Sequence, residues 1–356
     1  FIWKCRDNNI THFIPFNFGE EQAYILGFSG SKFRVLYDFE ILTLTAQNIT
    51  NITKANPAVV TYSGADNYAN GDKIIIDGVV GMTEVNNREF TVANVNTGAN
   101  TFELQGINST SYTTYSSGGT IEEIVEVTHP FAEADLDKIM YTQEADIMYL
   151  FCEGYRPQKI TRTSATTFTC VDYENTGGPF EAMNTTATTI TASATTGAVV
   201  ITASASLFNA NMVGGLWYLE RNAGGGTIGS FRITGYTSTT QVNAIVVSTL
   251  DASFPATPST KWKQASWDLE KGWPRAGALY EQRLFMGGTI ASPAGLWATK
   301  TTEYENHAAG TNDSDAFYFE LTTNNGTVPN IRWISPADNF LVVGGFGSEH
   351  LVTGGS

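Results

Sequence analysis

Basic side chains are scarce in this sequence: 20 Lys and Arg stand against 35 Asp and Glu, a formal net charge of −15. Sequence-independent capture of a phosphate backbone needs clustered Lys and Arg, and no such run occurs. A grip on nucleic acid is therefore not expected. An acidic surface still suits DNA as a passing cargo, because a negatively lined tube repels the polyanion and leaves it free to slide. Cysteine is equally sparse. Cys5, Cys152 and Cys170 are widely spaced, form no CxxC pair of zinc or redox type, and read as reduced structural thiols. No apolar run approaches the roughly 20 residues of a membrane span and nothing resembles a signal peptide, so no stable membrane insertion is expected. The sequence starts at Phe1 with a strand pattern under way by Ile14, and reads as an internal piece of a longer protein.

Catalytic signatures are missing as well. Histidine is limited to His12, His129, His307 and His350, none at the spacing of a helical metal pair, and each reads as a surface or turn residue. GxSxG, P-loop and GxGxxG signatures do not occur at a strand-to-helix junction, which argues against hydrolase and nucleotide chemistry. Two alternating acidic sets, Glu133-Asp135-Asp137 and Asp313-Asp315, have the residue types to hold Ca²⁺ or to cleave glycosides, but only if two carboxylates converge in a cleft. Solvated loop charge is the simpler reading. The sequence therefore predicts no catalytic residue, no cofactor and no metal site.

What is present points to β structure. Only 15% of residues are charged, 42% are hydrophobic and 12% aromatic, and Thr, Gly, Asn and Ser are abundant. That balance favours short strands and tight turns over long surface helices, in a chain with room for two or three domains.

A strand pair recurs. Ile139-Met140-Tyr141 is followed, after a polar turn, by Ile147 to Phe151; Ala278-Leu279-Tyr280 by Leu284 to Gly288; and Ile331-Arg332-Trp333 by Phe340 to Gly345. Each copy is a short strand ending on an aromatic, then a second strand too apolar to be half exposed, as an inner propeller strand reads. A third strand follows each: Gln158 to Thr161, Gly295 to Thr299 and Glu349 to Thr353. Leu279 and Ile331 stand 52 residues apart, the length of one four-stranded propeller blade, whereas Ile139 and Leu279 stand 140 apart and leave roughly 88 residues for an insertion.

Two insertions are expected. The first, 49–120, carries short strands at Lys73 to Ile76, Phe90 to Val92 and Thr101 to Leu104, with Asn70-Gly71-Asp72, Asp77-Gly78 and Asn86-Asn87 as the tight turns of a compact barrel closed by Tyr112 to Thr120. The second, 184–261, runs from a Thr- and Ala-rich stretch through Leu216-Trp217-Tyr218-Leu219 and Gly224-Gly225-Gly226; alternation across Thr188 to Thr202 and Phe231 to Tyr236 predicts a small β domain over low-complexity disorder. Residues 1–48, 121–183 and 262–356 are then propeller sequence. The predicted fold is all-β, an incomplete β-propeller with two inserted small β domains.

Gly272-Trp273-Pro274-Arg275 predicts Trp273 as a wedge at the start of a blade, with Pro274 fixing its entry and Arg275 opening the strand. Core packing is favoured over a sugar platform for Trp262, Trp267 and Trp273. Glu281-Gln282-Arg283 reads as a polar turn with a local ion pair.

These stretches carry a family likeness. The run Gly71-Asp72-Lys73 to Gly81-Met82, with Asn86, Phe90 to Val92 and Thr101 to Leu104, resembles a small barrel module common in phage tail proteins and also compared with a half-domain of ubiquitin-activating enzymes. No cysteine lies between Cys5 and Cys152, so no thioester chemistry follows from that comparison. Ile14-Pro15-Phe16 with Gln22-Ala23-Tyr24, Pro130-Phe131 through Tyr149, Gly272-Trp273-Pro274-Arg275 through Glu281-Gln282-Arg283, Leu296-Trp297 with Tyr304-Glu305-Asn306, and Gly347-Ser348-Glu349 resemble the tail nozzle, or tail tubular protein B, family of short-tailed bacteriophages. The match is weakest across 184–261, and members of that family carry further propeller sequence beyond the point where this chain stops. The resemblance implies a virion tail protein assembled in the host cytoplasm. It implies a homo-oligomeric ring, a hexamer in that family, that joins an adaptor ring, meets tail fibres, and forms a channel through which genomic DNA leaves without specific binding. The alternative is a glycan-binding or glycan-cleaving tail module.

Overall fold

Antiparallel strands carry nearly all of the regular structure, and the described helical elements are short 3-10 turns at Thr83–Val85, Glu133–Lys138 and Ala210–Met212. The protein is seen in a computed structural model that describes residues 12–19, 23–64, 68–222, 227–322 and 328–353. Cys5, Gln22 and the glycines at 224–226 lie outside the described residues. The chain divides into two compact units, Phe1–Leu136 with Thr161–Cys170, and Asp137–Ile160 with Val171–Ser356.

In the first unit, strands His12–Asn17, Ala23–Ser29, Lys32–Tyr37 and Glu126–Thr128 form a sheet in that order, with Glu40–Ile41 paired to Lys32–Tyr37. Ile14 and Phe16 alternate inward, as a half-buried strand requires. Between the last two of the sheet's strands the chain makes a closed six-stranded barrel, in the order Ser117–Glu123, Gln47–Ile52, Val59–Ser63, Thr101–Leu104, Arg88–Asn96, Lys73–Val80. Period-two alternation turns Val60, Ile74, Ile76, Phe102, Leu104 and Ile121 into its fully buried core, each such side chain contributing about 1.5–3 kcal/mol.

Asp77-Gly78 is not the turn predicted. The strand runs on to Val80, and Gly78 sits opposite Gly118 and Gly119 in the neighbouring strand, all three at positive φ. A glycine inside a strand here marks an irregular pairing at a barrel corner rather than a chain reversal. The sheet and the barrel are tied by Arg34, whose guanidinium reaches Glu126 at 2.9 Å and both carboxylate oxygens of Glu89 at 2.8 and 3.0 Å.

The repeated strand pairs are antiparallel hairpins: Met140–Glu144 with Ile147–Phe151, Ala276–Tyr280 with Arg283–Gly287, and Ile331–Pro336 with Leu341–Gly345. Each continues into a meander. The first adds Gln158–Arg162 and Phe168–Asp172, the second Gly295–Ala298 and Phe317–Glu320, the third Ser348–Val352. Within the second unit the second and third meanders stack through one core containing Phe285, Leu296, Ile331, Leu341 and Val343. Another core joins Tyr149 and Phe151 of the first meander to Leu284, Met286 and Trp297 of the second.

The Thr-rich insertion is ordered. It forms a six-stranded sheet in the order Ile190–Ala192, Ala198–Ala203, Gln241–Ser248, Ile228–Ser238, Leu216–Glu220, Trp262–Lys263. Ile190, Ile201, Trp217, Leu219, Phe231 and Val242 fill its core, since alternation lets Thr face outward while the β-branched and aromatic residues pack. The fold is all-β: a closed six-stranded barrel, an inserted six-stranded sheet and successive antiparallel meanders.

Candidate functional site

The residues singled out from sequence fall into two groups, each holding a turn or a sheet junction. In the barrel, Gly71 and Asp72 form the turn before strand Lys73–Val80: the Gly71 N–H donates to the Val92 carbonyl at 2.9 Å, and Asp72 Oδ2 accepts from the Ala69 N–H at 2.6 Å. Gly81 ends that strand at φ +93°, and Met82 is fully buried in the barrel core.

The other group lies in the second unit. Trp273 is buried with Tyr149, Tyr173, Trp267 and Trp297, and the Arg156 guanidinium lies 5.2 Å from its ring centre. Pro274 leads into Arg275, which donates from Nε to the Gly288 carbonyl at 2.9 Å and pairs with Glu153 at 2.9 Å. Trp262 and Trp267 are buried too. Glu281 and Gln282 both adopt positive φ, 46° and 59°, the geometry of a two-residue hairpin turn. The expected Glu281–Arg283 pairing gives way to main-chain bonds. Arg283 Nη1 donates to the carbonyls of Thr299 and Asp315, and Nη2 to that of Asp313, because a planar fork held under the loop satisfies several carbonyls at once.

Two histidines depart from the surface reading. His129 is buried against Phe28 and Phe131, and burial pushes its imidazole down to about 4. His307 is buried edge-on to Trp267, and burial pushes it down to about 3. Tyr173 donates to the Tyr304 carbonyl at 2.6 Å and lies 3.0 Å from His307 Nε2. Burial raises the Tyr173 phenol well above its ordinary value, so ring and phenol are both neutral around pH 7. Thr176 completes the clasp: its N–H donates to the Glu305 carbonyl at 2.7 Å and its carbonyl accepts from the His307 N–H at 2.8 Å.

Beside this clasp Arg232 is buried. It donates to the Asn175 carbonyl at 2.6 Å and lies 2.7 Å from Glu174 Oε2, while burial and the nearby Arg156 charge lower it to about 10. Sequence reasoning missed Tyr173, Asn175 and Arg232, and read His307 as a surface or turn residue. They come from irregular segments and from a strand stretch buried on both faces, where no periodicity marks them.

Chemically this is a clamp. Its phenol is spent on the Tyr304 carbonyl and the His307 ring, and Arg232 is shared between the Glu174 carboxylate and the carbonyls of Asn175 and Gly214. Asp315 is likewise engaged, accepting from the Asn312 N–H at 3.0 Å and lying 3.5 Å from Lys300. Among the described residues no three of His, Cys, Asp and Glu converge as metal ligands would. Cys152 is buried and Cys170 half-buried.

Comparison with known proteins adds one match at the barrel. Residues 55–124 match the family model of the ubiquitin-activating enzyme E1 FCCH domain. Among solved structures the chain is similar to the phage phi92 endosialidase, at 11% identity and a TM-score of 0.15, over 97% of this chain and 64% of that one. The chain thus spans about two thirds of that protein's length. No curated protein matches it. Neither comparison bears on the nozzle resemblance, and what the chain shares with a named family lies in the barrel, within 55–124.

Proposed function

We propose that the chain is a non-catalytic structural protein of a bacteriophage tail, a subunit of the nozzle ring at the distal end through which the genome is ejected. The observation that supports this reading is the stack of successive antiparallel meanders in the second unit, locked face to face by large rings and aliphatic side chains. Interiors packed in this way are stiff and transmit load rather than deform, which suits the wall of a channel.

The nozzle resemblance adds the assembly: a ring of copies, a hexamer in that family, closed by head-to-tail interfaces, joined to an adaptor ring and approached by tail fibres. The acidic balance fits a lumen that DNA slides through without specific binding. The protein is then located in the virion tail after assembly in the host cytoplasm, and needs no cofactor.

Negative-stain imaging of the full-length protein tests the proposal. Discrete rings with a central hole are the expected result. A monodisperse monomer that releases reducing sugar from host polysaccharide would overturn it, and a strongly basic lumen would overturn the sliding argument.

A further inference from the structure

Between the inserted sheet and the second meander, both in the second unit, lies a cavity of about 590 Å³. That size is within the range of roughly 300–1,000 Å³ typical of ligand sites. Its two walls are built by cross-strand rows. On the inserted sheet, Tyr218 pairs with Ser230 on one side and with Lys263 on the other, so the three side chains stand on one face. On the meander, Trp297 pairs with Tyr318, and the two rings lie 5.0 Å apart with a 35° tilt. Glu181 also lines the cavity.

The chemistry of these rows is specific. Tyr318 is 47% exposed while Trp297 behind it is buried, so the meander offers one supported aromatic face to the opening. Lys263 lies with its ammonium 5.0 Å from the Tyr218 ring centre, and Phe180 packs edge-on against the same ring. These contacts fix the Tyr218 ring and place a donor over it. Ser230 is 4% exposed, and its hydroxyl is buried without a hydrogen-bond partner.

From these observations we infer that the cleft binds a neutral saccharide. A sugar ring offers an apolar C–H face for Tyr318 and a rim of hydroxyls that both donate and accept. Lys263 supplies the donor and Glu181 the acceptor, so the site carries one charge of each sign. A phosphorylated or strongly acidic ligand would instead require clustered cations, and the chain's net charge of −15 disfavours it further. This binding goes beyond the ring proposal and does not depend on it.

The test is an array of neutral and anionic bacterial oligosaccharides probed with the labelled full-length protein. The variants are Tyr318→Ala, Lys263→Met and, as a control, Phe346→Ser at an exposed position of the third meander. The expected result is retention on neutral glycans that falls at least about tenfold in the first two variants and not in the control. Thermal melting confirms that each variant is folded. No retention on any glycan, retention on anionic glycans alone, or unchanged binding by folded Tyr318→Ala overturns the assignment. Ring formation is read separately by imaging, so failure of one leaves the other standing.

Discussion

The Phe151 ring lies directly over Gly277: a Cβ built on Gly277 would stand 2.3 Å from Phe151 Cζ. Phe151 ends the inner strand of the first meander and Gly277 lies in the opening strand of the second, so the ring occupies the space where a side chain would otherwise separate the two sheets. Gly277→Ala should therefore lower stability by about 1–3 kcal/mol through overpacking. Phe151→Leu in the same chain should restore part of the loss, because the pair shares one space and their effects do not add. Differential scanning fluorimetry of the single and double variants checks this. Equal losses that simply add would show the contact to be absent.

How much of this was legible follows from the same pair. Phe151 belongs to an uninterrupted apolar run, and such runs, each preceded by a short strand and a polar turn, show the three hairpins in sequence alone. Asn and Gly at the barrel turns did the same. Gly277 between Ala276 and Ala278 carries no such mark, because small size there answers to a ring some 126 positions earlier, 277 against 151. Asp77-Gly78 misled for a related reason: a bulge inside a strand and a turn after one use the same residue pair. His307 and Tyr173 were hidden in irregular loops, where function or clasping leaves no period to read. The aromatic rows of the cleft come from separate strands of two sheets, and only their register brings them together.

Arg34→Met should destabilise the first unit. Arg34 and Glu126 both have almost no exposed side chain, and Glu89 shares the same guanidinium. Removing the cation leaves Glu126 with Lys32 at 3.2 Å and Glu89 with Lys73 at 4.0 Å as counter-charges in a poorly hydrated site, at a cost of about 1–3 kcal/mol, below that of an uncompensated buried charge. The double variant Arg34→Met, Glu126→Leu should be more stable than Arg34→Met alone. Thermal melts of the two would show it, and a double variant less stable than the single one would contradict this account.

Acid sensitivity should be set by the two buried histidines. Their folded values, about 4 for His129 and about 3 for His307, lie below the ordinary 6.5, so the unfolded chain binds protons first as the pH falls. The stability they allow is fully present above about pH 6.5. It declines on acidification toward about pH 4 for His129 and about pH 3 for His307, by up to about 1.4 kcal/mol per unit for each ring. Asp251 and Glu220, held below their ordinary values by hydrogen bonds, lose their contributions only in stronger acid. The loss of melting temperature between about pH 7 and pH 5 should therefore shrink in His129→Phe, whose ring joins Phe28 and Phe131. An unchanged slope would place the titration elsewhere.

Gly81→Ala should unsettle the barrel more than an ordinary surface glycine would. At φ +93° an added Cβ is strained, and it would stand 2.2 Å from the Thr114 carbonyl oxygen and 2.8 Å from the Ser116 nitrogen. Both are main-chain atoms that cannot turn aside, so the loss should be at least about 2 kcal/mol. Hydrogen exchange of strands Lys73–Val80 and Ser117–Glu123 would report it as faster opening, with the second unit unchanged.

Arg283→Lys separates the loop clamp from the hairpin turn that precedes it. The guanidinium reaches the carbonyls of Thr299, Asp313 and Asp315 and also lies 5.2 Å from the centre of the Phe317 ring. Lysine keeps the charge but is a point donor, so it cannot span carbonyls set on different sides of a planar fork. At least one carbonyl should lose its partner, at about 1–3 kcal/mol, and residues 299–316 should open about tenfold more often. Limited proteolysis then cuts that loop first, while Glu281 and Gln282 keep their turn because their backbone geometry owes nothing to the guanidinium. Equal cutting of wild type and variant would mean that the loop is held by Asp315 and Lys300 instead, and Lys300→Met would become the variant that frees it.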